Sequence, residues 1–477
     1  MRGPRWVLLG AILGSGAVFI EGTVTTVALP AIARDFELGI SGLQWVMNGY
    51  LLTLSALILL GGALGDRFSR SRVFVLGLIG FAAASLACTI APNVTFLVVA
   101  RVLQGAAGAL VVPNSLALLE SNFSGTERGT AIGHWAGWSA ASMAFGPLVG
   151  GWLVDAVSWR LVFACVTPFA AAAAIVIGVG AKARETPDRK HAPASVDYAG
   201  AMLVTLGLAG VVGALIVGPD AGFSNPRVLV IGVTGLALLG AFIVAEKRVP
   251  RPLLPLDTFR SREFSGVNAV TLFVYAALNG LFFLLMLQLQ TVLGYSALAA
   301  GASLLPINAL MVLISPLAGR VAERHGARTP MVAGSLTAAA GMLLFMRVGP
   351  GAPFLTTVLP AAVVFASGLA WLVTPLTAVA LGALGPARAG LASGVNNAVA
   401  RLAGLLAVTG IPLAAGLSGT RALSSQTLNE GFSRAMLVCA ALCIAGSVVA
   451  AFTIPGAPCA RQHPSGRLHR AACGTAS

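Results

Sequence analysis

Long apolar runs bounded by short polar stretches repeat along the whole chain. About 20 consecutive apolar residues carry a helix across a bilayer core. Runs of that length lie at 6–30, 43–65, 73–91, 94–119, 129–154, 160–180, 197–218, 227–246, 264–290, 297–319, 329–348, 353–382, 393–417 and 433–455, and they predict fourteen membrane-spanning helices. The runs at 264–290 and 353–382 are longer than a perpendicular crossing requires, which allows for tilt or an interfacial segment. The apolar run after Arg2 and Arg5 exceeds the h-region of a signal peptide, so it reads as the first span. The expected class is an all-α polytopic membrane protein.

The polar interruptions are uneven. Two are long, basic and proline-bearing: 182–195 and 247–263. They isolate a central pair of helices and give a six, two and six arrangement. The expected units are an N-terminal bundle (1–181), a linker region with two extra helices (182–263), a C-terminal bundle (264–455) and a polar, disordered tail (456–477). A faint repeat supports related halves. The loop GGALGDRFSRSRV (61–73) and the loop LAGRVAERHGARTP (317–330) are each the second loop of a six-helix half. Related halves place a substrate path at their interface, near the membrane midplane.

Composition agrees. The chain of 477 residues is 57% hydrophobic and 10% charged, against about 25% charged in soluble domains. The net charge of +14 comes from basic residues in short loops, the distribution of the positive-inside rule rather than of a nucleic-acid surface. With both termini in the cytoplasm, most of the 30 Lys and Arg residues fall on that side. None of the six cysteines forms a CxxC or zinc spacing, so no metal site is expected. The chain also lacks a nucleotide loop, a GxSxG elbow and an HExxH pair, which argues against an enzyme or a nucleotide-driven pump.

Against this background Glu21 stands out, the one ionisable residue between Trp6 and Pro30. A charge at the bilayer centre costs about 3 kcal/mol on insertion scales, so it marks a partner, a cavity or a proton path. Arg101 and Arg401 are likewise inside predicted spans. Arginine stays charged at any working pH, so Arg101 needs a carboxylate, carbonyls or water; snorkelling to the outer interface is the alternative.

Three motifs occur in register. Gly62, Leu64, Gly65, Asp66, Arg67, Arg70 and Arg72 fit a G-x-L-x-D-R-x-G-R-x-R loop, with Ser69 where a glycine is usual. Arg101, Gln104, Gly105 and Gly108 fit an R-x-x-Q-G pattern in span four. Gly146, Pro147, Gly150 and Gly151 form GPxxGG in span five. Together these resemble the major facilitator superfamily, and the third resembles its proton-coupled antiporters. The stretches EGTVTTVALP (21–30), LQWVMNGYLLTLSALIL (43–59) and LQLQTVLGYSALAAGASLLP (287–306) resemble the fourteen-span drug:proton antiporters. Glu21 replaces the aspartate of that branch, and Thr26 its asparagine.

The resemblance implies a major-facilitator fold, two six-helix bundles plus two central helices, in a bacterial cytoplasmic membrane. It implies export of lipophilic drugs or antibiotics in exchange for protons; an exporter of one metabolite or self-made antibiotic is the alternative. The proton gradient would supply the energy, without a cofactor. The expected partners are the bilayer, protons and a lipophilic small molecule, with a monomer as the unit. Glu21 and Arg101 would form the proton-coupling site, with a static ion pair as the structural alternative. Phe19, Asn48, Trp138, Phe273, Asn279, Phe282 and Asn396 would line the substrate cavity. His134 reads as structural.

Overall fold

The computed structural model describes residues 5–182, 197–249, 252–385, 388–419 and 424–456. The expected loop at 182–195 and the tail at 456–477 therefore lie almost entirely outside the described residues. The described chain is helical throughout its spans, and twelve of its helices are long and apolar enough to cross a membrane. The protein is a multi-pass membrane protein. In chain order the first half comprises α1 (Arg5–Asp35), α2 (Ile40–Arg67), α3 (Arg70–Thr89), α4 (Val94–Asn122), α5 (Gly125–Ala156), α6 (Leu161–Ala164) and α7 (Thr167–Lys182). The central pair is α8 (Tyr198–Ala221) and α9 (Pro226–Glu246). The second half comprises α10 (Arg262–Leu287), α11 (Ala297–Ala302), α12 (Leu305–His325), α13 (Arg328–Phe345), α14 (Leu359–Gly382), α15 (Ala389–Ala414) and α16 (Ser425–Thr453).

Each predicted span coincides with a helix or a broken pair of helices, but two fall outside the twelve. They are α5, of 32 residues, and α13, of 18. Their composition explains this. Helix α5 carries Glu127, Arg128, His134 and many small residues, and α13 begins at Arg328. The two long runs are each one α-helix with a π-helical turn at one end: Gln288–Val292 after α10 and Phe354–Val358 before α14.

Local chemistry sets the helix ends. Asn93 and Ser69 accept from the backbone N–H groups of Phe96 and Arg72, and so cap α4 and α3. Between helices, packing replaces the hydrophobic drive that lipid removes, so small residues decide how closely backbones approach. Gly105 is a clear case in the first half. A methyl group there would collide with the Tyr50 carbonyl. Its absence draws α4 onto α2, where the Thr53 hydroxyl donates to the Val102 carbonyl at 2.7 Å.

The two halves meet at one end of the bundle, the end opposite the loop that joins α2 to α3. Gln44 of α2 donates to the carbonyls of Val408 and Thr409 in α15, and Asn48 donates to the Thr409 hydroxyl at 2.8 Å. Gln290 donates to the Val27 carbonyl of α1 at 2.9 Å. Asp155, at the end of α5, accepts from the backbone N–H groups of Ala297 and Leu298 at 3.0 and 2.8 Å, where α11 begins. At the other end the first turns of α5 are largely exposed, as are Arg324 and His325 at the end of α12.

Candidate functional site

Glu21 and Arg101 are in direct contact. The α1 carboxylate and the α4 guanidinium form an ion pair through Oε1 and Nη1, and both side chains are fully buried. The surroundings build a cage from three further helices. The same Glu21 Oε1 accepts from the Thr25 hydroxyl at 2.7 Å, one helical turn on. Arg101 Nη1 also donates to Gln104 Oε1 at 2.7 Å, and Arg101 Nε to the Val46 carbonyl of α2 at 3.1 Å. The Gln104 amide in turn donates to the Ser85 hydroxyl of α3 at 2.8 Å. The guanidinium lies 4.5 Å from the Tyr50 ring centroid and 5.6 Å from that of Phe163 in α6, cation–π contacts that partly replace lost hydration. One oxygen and one nitrogen stay unsatisfied: Glu21 Oε2 and Arg101 Nη2 have no hydrogen-bond partner. A buried ion pair with spare hydrogen-bonding capacity can rearrange when a proton arrives.

The GPxxGG helix works on two neighbours at once. Methyl groups at Gly146 and Gly150 would collide with Thr23 and Val24 of α1, one turn from Glu21. A methyl at Gly151 would collide with the Ala297 carbonyl, and one at Gly301 with the Pro147 carbonyl, both across the boundary between halves. This helix therefore links the charge pair's own helix to the closed end. The 62–72 loop carries the Asp66–Arg70 ion pair at 2.9 Å, and Arg70 also donates to the Ala117 carbonyl of α4. Arg67 stacks on the Phe68 ring, and Gly65 and Gly62 lie close to Asn114 and Pro113 of α4.

The seven predicted cavity residues separate. Phe19 packs edge-on against Trp135 of α5 and faces the guanidinium of Arg401, 5.6 Å from its ring centroid. Asn48 belongs to the closed end described above. Asn396 donates to Asn268 and Thr271 of α10, and Asn279 to the Tyr275 carbonyl, so both spend their amides inside the second half. Phe282 packs on the apolar core, and Phe273 lies beside Gly446 of α16. Trp138 lines an apolar cavity of about 220 Å³ inside the first half, with Ile20, Phe145, Cys165 and Phe169. His134 is exposed on α5.

Sequence reasoning did not assign Thr25, Gln290, Asp155 or Thr409. The usable signal was polarity inside or at the edge of an apolar run. It marks a group needing a partner without naming the partner. Among the described residues no group of three or more His, Cys, Asp or Glu side chains could hold a metal ion.

The family model described as Major Facilitator Superfamily matches residues 8–408. The chain is 36% identical to the tetracenomycin C resistance and export protein of Streptomyces glaucescens, over 72% of this chain and 63% of that protein. It is 34% identical to a puromycin resistance protein of Streptomyces alboniger, over 85% of this chain and 82% of that one. It is 33% identical to the multidrug resistance protein Stp of Mycobacterium tuberculosis, over 87% of this chain and 76% of that one. Among solved structures, a bacterial homologue of the human lysosomal transporter Spinster superposes with a TM-score of 0.66 at 17% identity, over 94% of this chain and 96% of that one. A structure of the POT family transporter PepTSo gives 0.66 at 14% identity, over 94% and 98%. The motifs, the all-helical architecture and the span of the family match agree: this chain belongs to the Major Facilitator Superfamily.

Proposed function

We propose that the protein is a proton-coupled antiporter that exports lipophilic drugs or antibiotics across the bacterial cytoplasmic membrane by alternating access. The observation that carries this reading is the sealed Glu21–Arg101 pair, placed one turn from the helix that closes the bundle. A proton on Glu21 removes the charge that Arg101 faces. The guanidinium then keeps Gln104 and the Val46 carbonyl, and is free to turn its unsatisfied Nη2 elsewhere. Each such change shifts the packing of α1 against α4 and α5. Proton entry from outside and substrate entry from the cytoplasm would favour opposite arrangements. One elementary charge moving through 100 mV releases about 2.3 kcal/mol, enough to drive export against a modest gradient. In this reading both termini are cytoplasmic, and the structure's open end faces the cytoplasm.

The membership of the fourteen-span branch belongs to the same proposal. In this reading α5 and α13 are the remaining two spans, and α8–α9 are the extra central pair. The expected division at 182 and 263 follows from it. The other expected units, a monomer working without a cofactor, are part of this reading too.

A narrower function has its own support. Two of the relatives are named for single compounds, and a further one, 33% identical, is a probable actinorhodin transporter of Streptomyces coelicolor. Export of one self-made antibiotic is therefore the second reading. Expression in a pump-deficient bacterium, followed by a broad compound screen, separates the two. Resistance to several dissimilar compounds, lost when an uncoupler collapses the proton gradient, supports the first. Resistance to one compound favours the second. Unchanged resistance after uncoupling overturns proton coupling.

A further inference from the structure

Arg401 has no role in the account so far, and its setting is unusual. It sits midway along α15, about as deep in the bundle as Glu21 is along α1. Its side chain is half-buried. Its guanidinium lies over the face of Phe19 in the other half. No hydrogen bond and no carboxylate partner holds its guanidinium among the described residues; the carboxylate nearest in role, Glu21, is already bound to Arg101. The ionised pair is neutral as a unit, so the midplane region between the halves carries one net positive charge. An aromatic pair flanks it: Phe19 lies under the guanidinium, and Trp135 packs edge-on against Phe19.

We propose that Arg401 is a specificity-determining residue, the charged anchor of a substrate site for amphipathic organic anions, in which it pairs with a carboxylate or phenolate while Phe19 and Trp135 take the apolar body. The proposal rests on the exporter reading above. A guanidinium in a membrane interior needs an acceptor. Its planar fork of donors matches a carboxylate in a two-point arrangement that an ammonium cannot reproduce. Phe19 holds the head in place while leaving its donors unused, because a ring face attracts the cation without accepting those hydrogen bonds in full. A lipophilic cation would meet Arg401 with no counter-charge in reach, since Glu21 is fully buried behind its own partner.

The test uses three probes of one shape and different charge: anthracenecarboxylate, anthracenemethanol and aminomethylanthracene. The full chain is reconstituted into phosphatidylcholine vesicles, which contain no net-anionic headgroup, and fluorescence follows probe movement in an imposed pH gradient. The wild-type chain should move the anion at least about tenfold faster than the cation, the selectivity of one strong ionic hydrogen bond. Arg401→Glu should reverse that ratio. Arg401→Lys, which keeps the charge and loses the fork, should keep its sign and reduce it. Because the readout is a ratio, a variant that merely folds poorly loses both probes together, and Arg401→Lys then decides. A wild-type preference for the cation, or the same ratio in all three chains, overturns the assignment. If the wild-type chain moves no probe while it still confers resistance in the compound screen, binding decides the site; if it also confers no resistance, the exporter reading fails instead. Equilibrium binding of anthracenecarboxylate to the purified chain, lost in Arg401→Glu, would still support the site, and equal binding by both would overturn it. Block of anion movement by added phosphatidylglycerol, dependent on Arg401, would assign the site to a lipid headgroup and overturn a substrate role.

Discussion

Two arginines lie at similar depth in this bundle, and their surroundings are opposite. Arg101 is enclosed by α1, α2, α4 and α6, with a carboxylate, an amide, a backbone carbonyl and two rings around it. Arg401 reaches from α15 into the space between the halves and meets one ring. Enclosure fits a charge that must be satisfied in every state of the cycle. Openness fits one that is satisfied only when something binds. A buried pair is costly to break because its surviving member is left unpaired, whereas an open guanidinium keeps access to water and to ligands.

Truncation of each arginine tests the two environments directly. Arg101→Ala strands Glu21 and should lower stability by about 3–5 kcal/mol, read as a fall in melting temperature in detergent together with loss of transport. Arg401→Ala removes no hydrogen bond and should cost less than about 1 kcal/mol. Equal losses would mean that the two environments are energetically alike. The second test acts on the closed end, where α5 meets α11. Gly151→Val places a branched side chain against Ala297. Overpacking of this kind costs about 1–3 kcal/mol. The variant should expose the facing ends of α5 and α11, read by labelling of a cysteine introduced at position 298.

Smaller effects sharpen the picture of Arg101. Gln104→Ala leaves Arg101 Nη1 with Glu21 alone and the Ser85 hydroxyl without its donor. One buried hydrogen bond lost on each side should cost about 1–2 kcal/mol, measured by thermal unfolding. Tyr50→Phe keeps the ring under the guanidinium and removes only a 3.4 Å bond to the Val18 carbonyl. It should cost under about 0.5 kcal/mol, because a bond of that length is weak. A larger loss would show that the hydroxyl, rather than the ring, supports Arg101.

The helices were legible in the chain because lipid imposes one rule on every segment: about 20 apolar residues with all backbone groups paired internally. Glu21 and Arg101 were legible for a related reason, as charges too costly to stand in apolar runs without a purpose. Their contact was not, because 80 residues separate them and the sequence does not state which helices are neighbours. Asn48 and Asn396 show the same limit. Each is an amide in an apolar run and so needs partners. One found them in the closed end, the other in its own half. Trp138 shows a different limit. In a helix that is apolar or small all round, periodicity does not say which face points to a neighbour and which to a groove. Arg401 was visible as a charge, but its significance lies in its having no counter-charge among the described residues, which only the assembled bundle displays.

The central claim is that a proton on Glu21 drives export. Its most direct measurement is substrate efflux in sealed vesicles under an imposed pH gradient, comparing the wild-type chain with Glu21→Gln, which mimics the permanently protonated carboxyl at nearly the same size. Gradient-driven efflux should fall to the level of vesicles without a gradient in Glu21→Gln, and Glu21→Asp should retain a measurable part of it. Wild-type efflux by Glu21→Gln under the same gradient would contradict the claim and leave the Glu21–Arg101 pair as a fixed strut between α1 and α4.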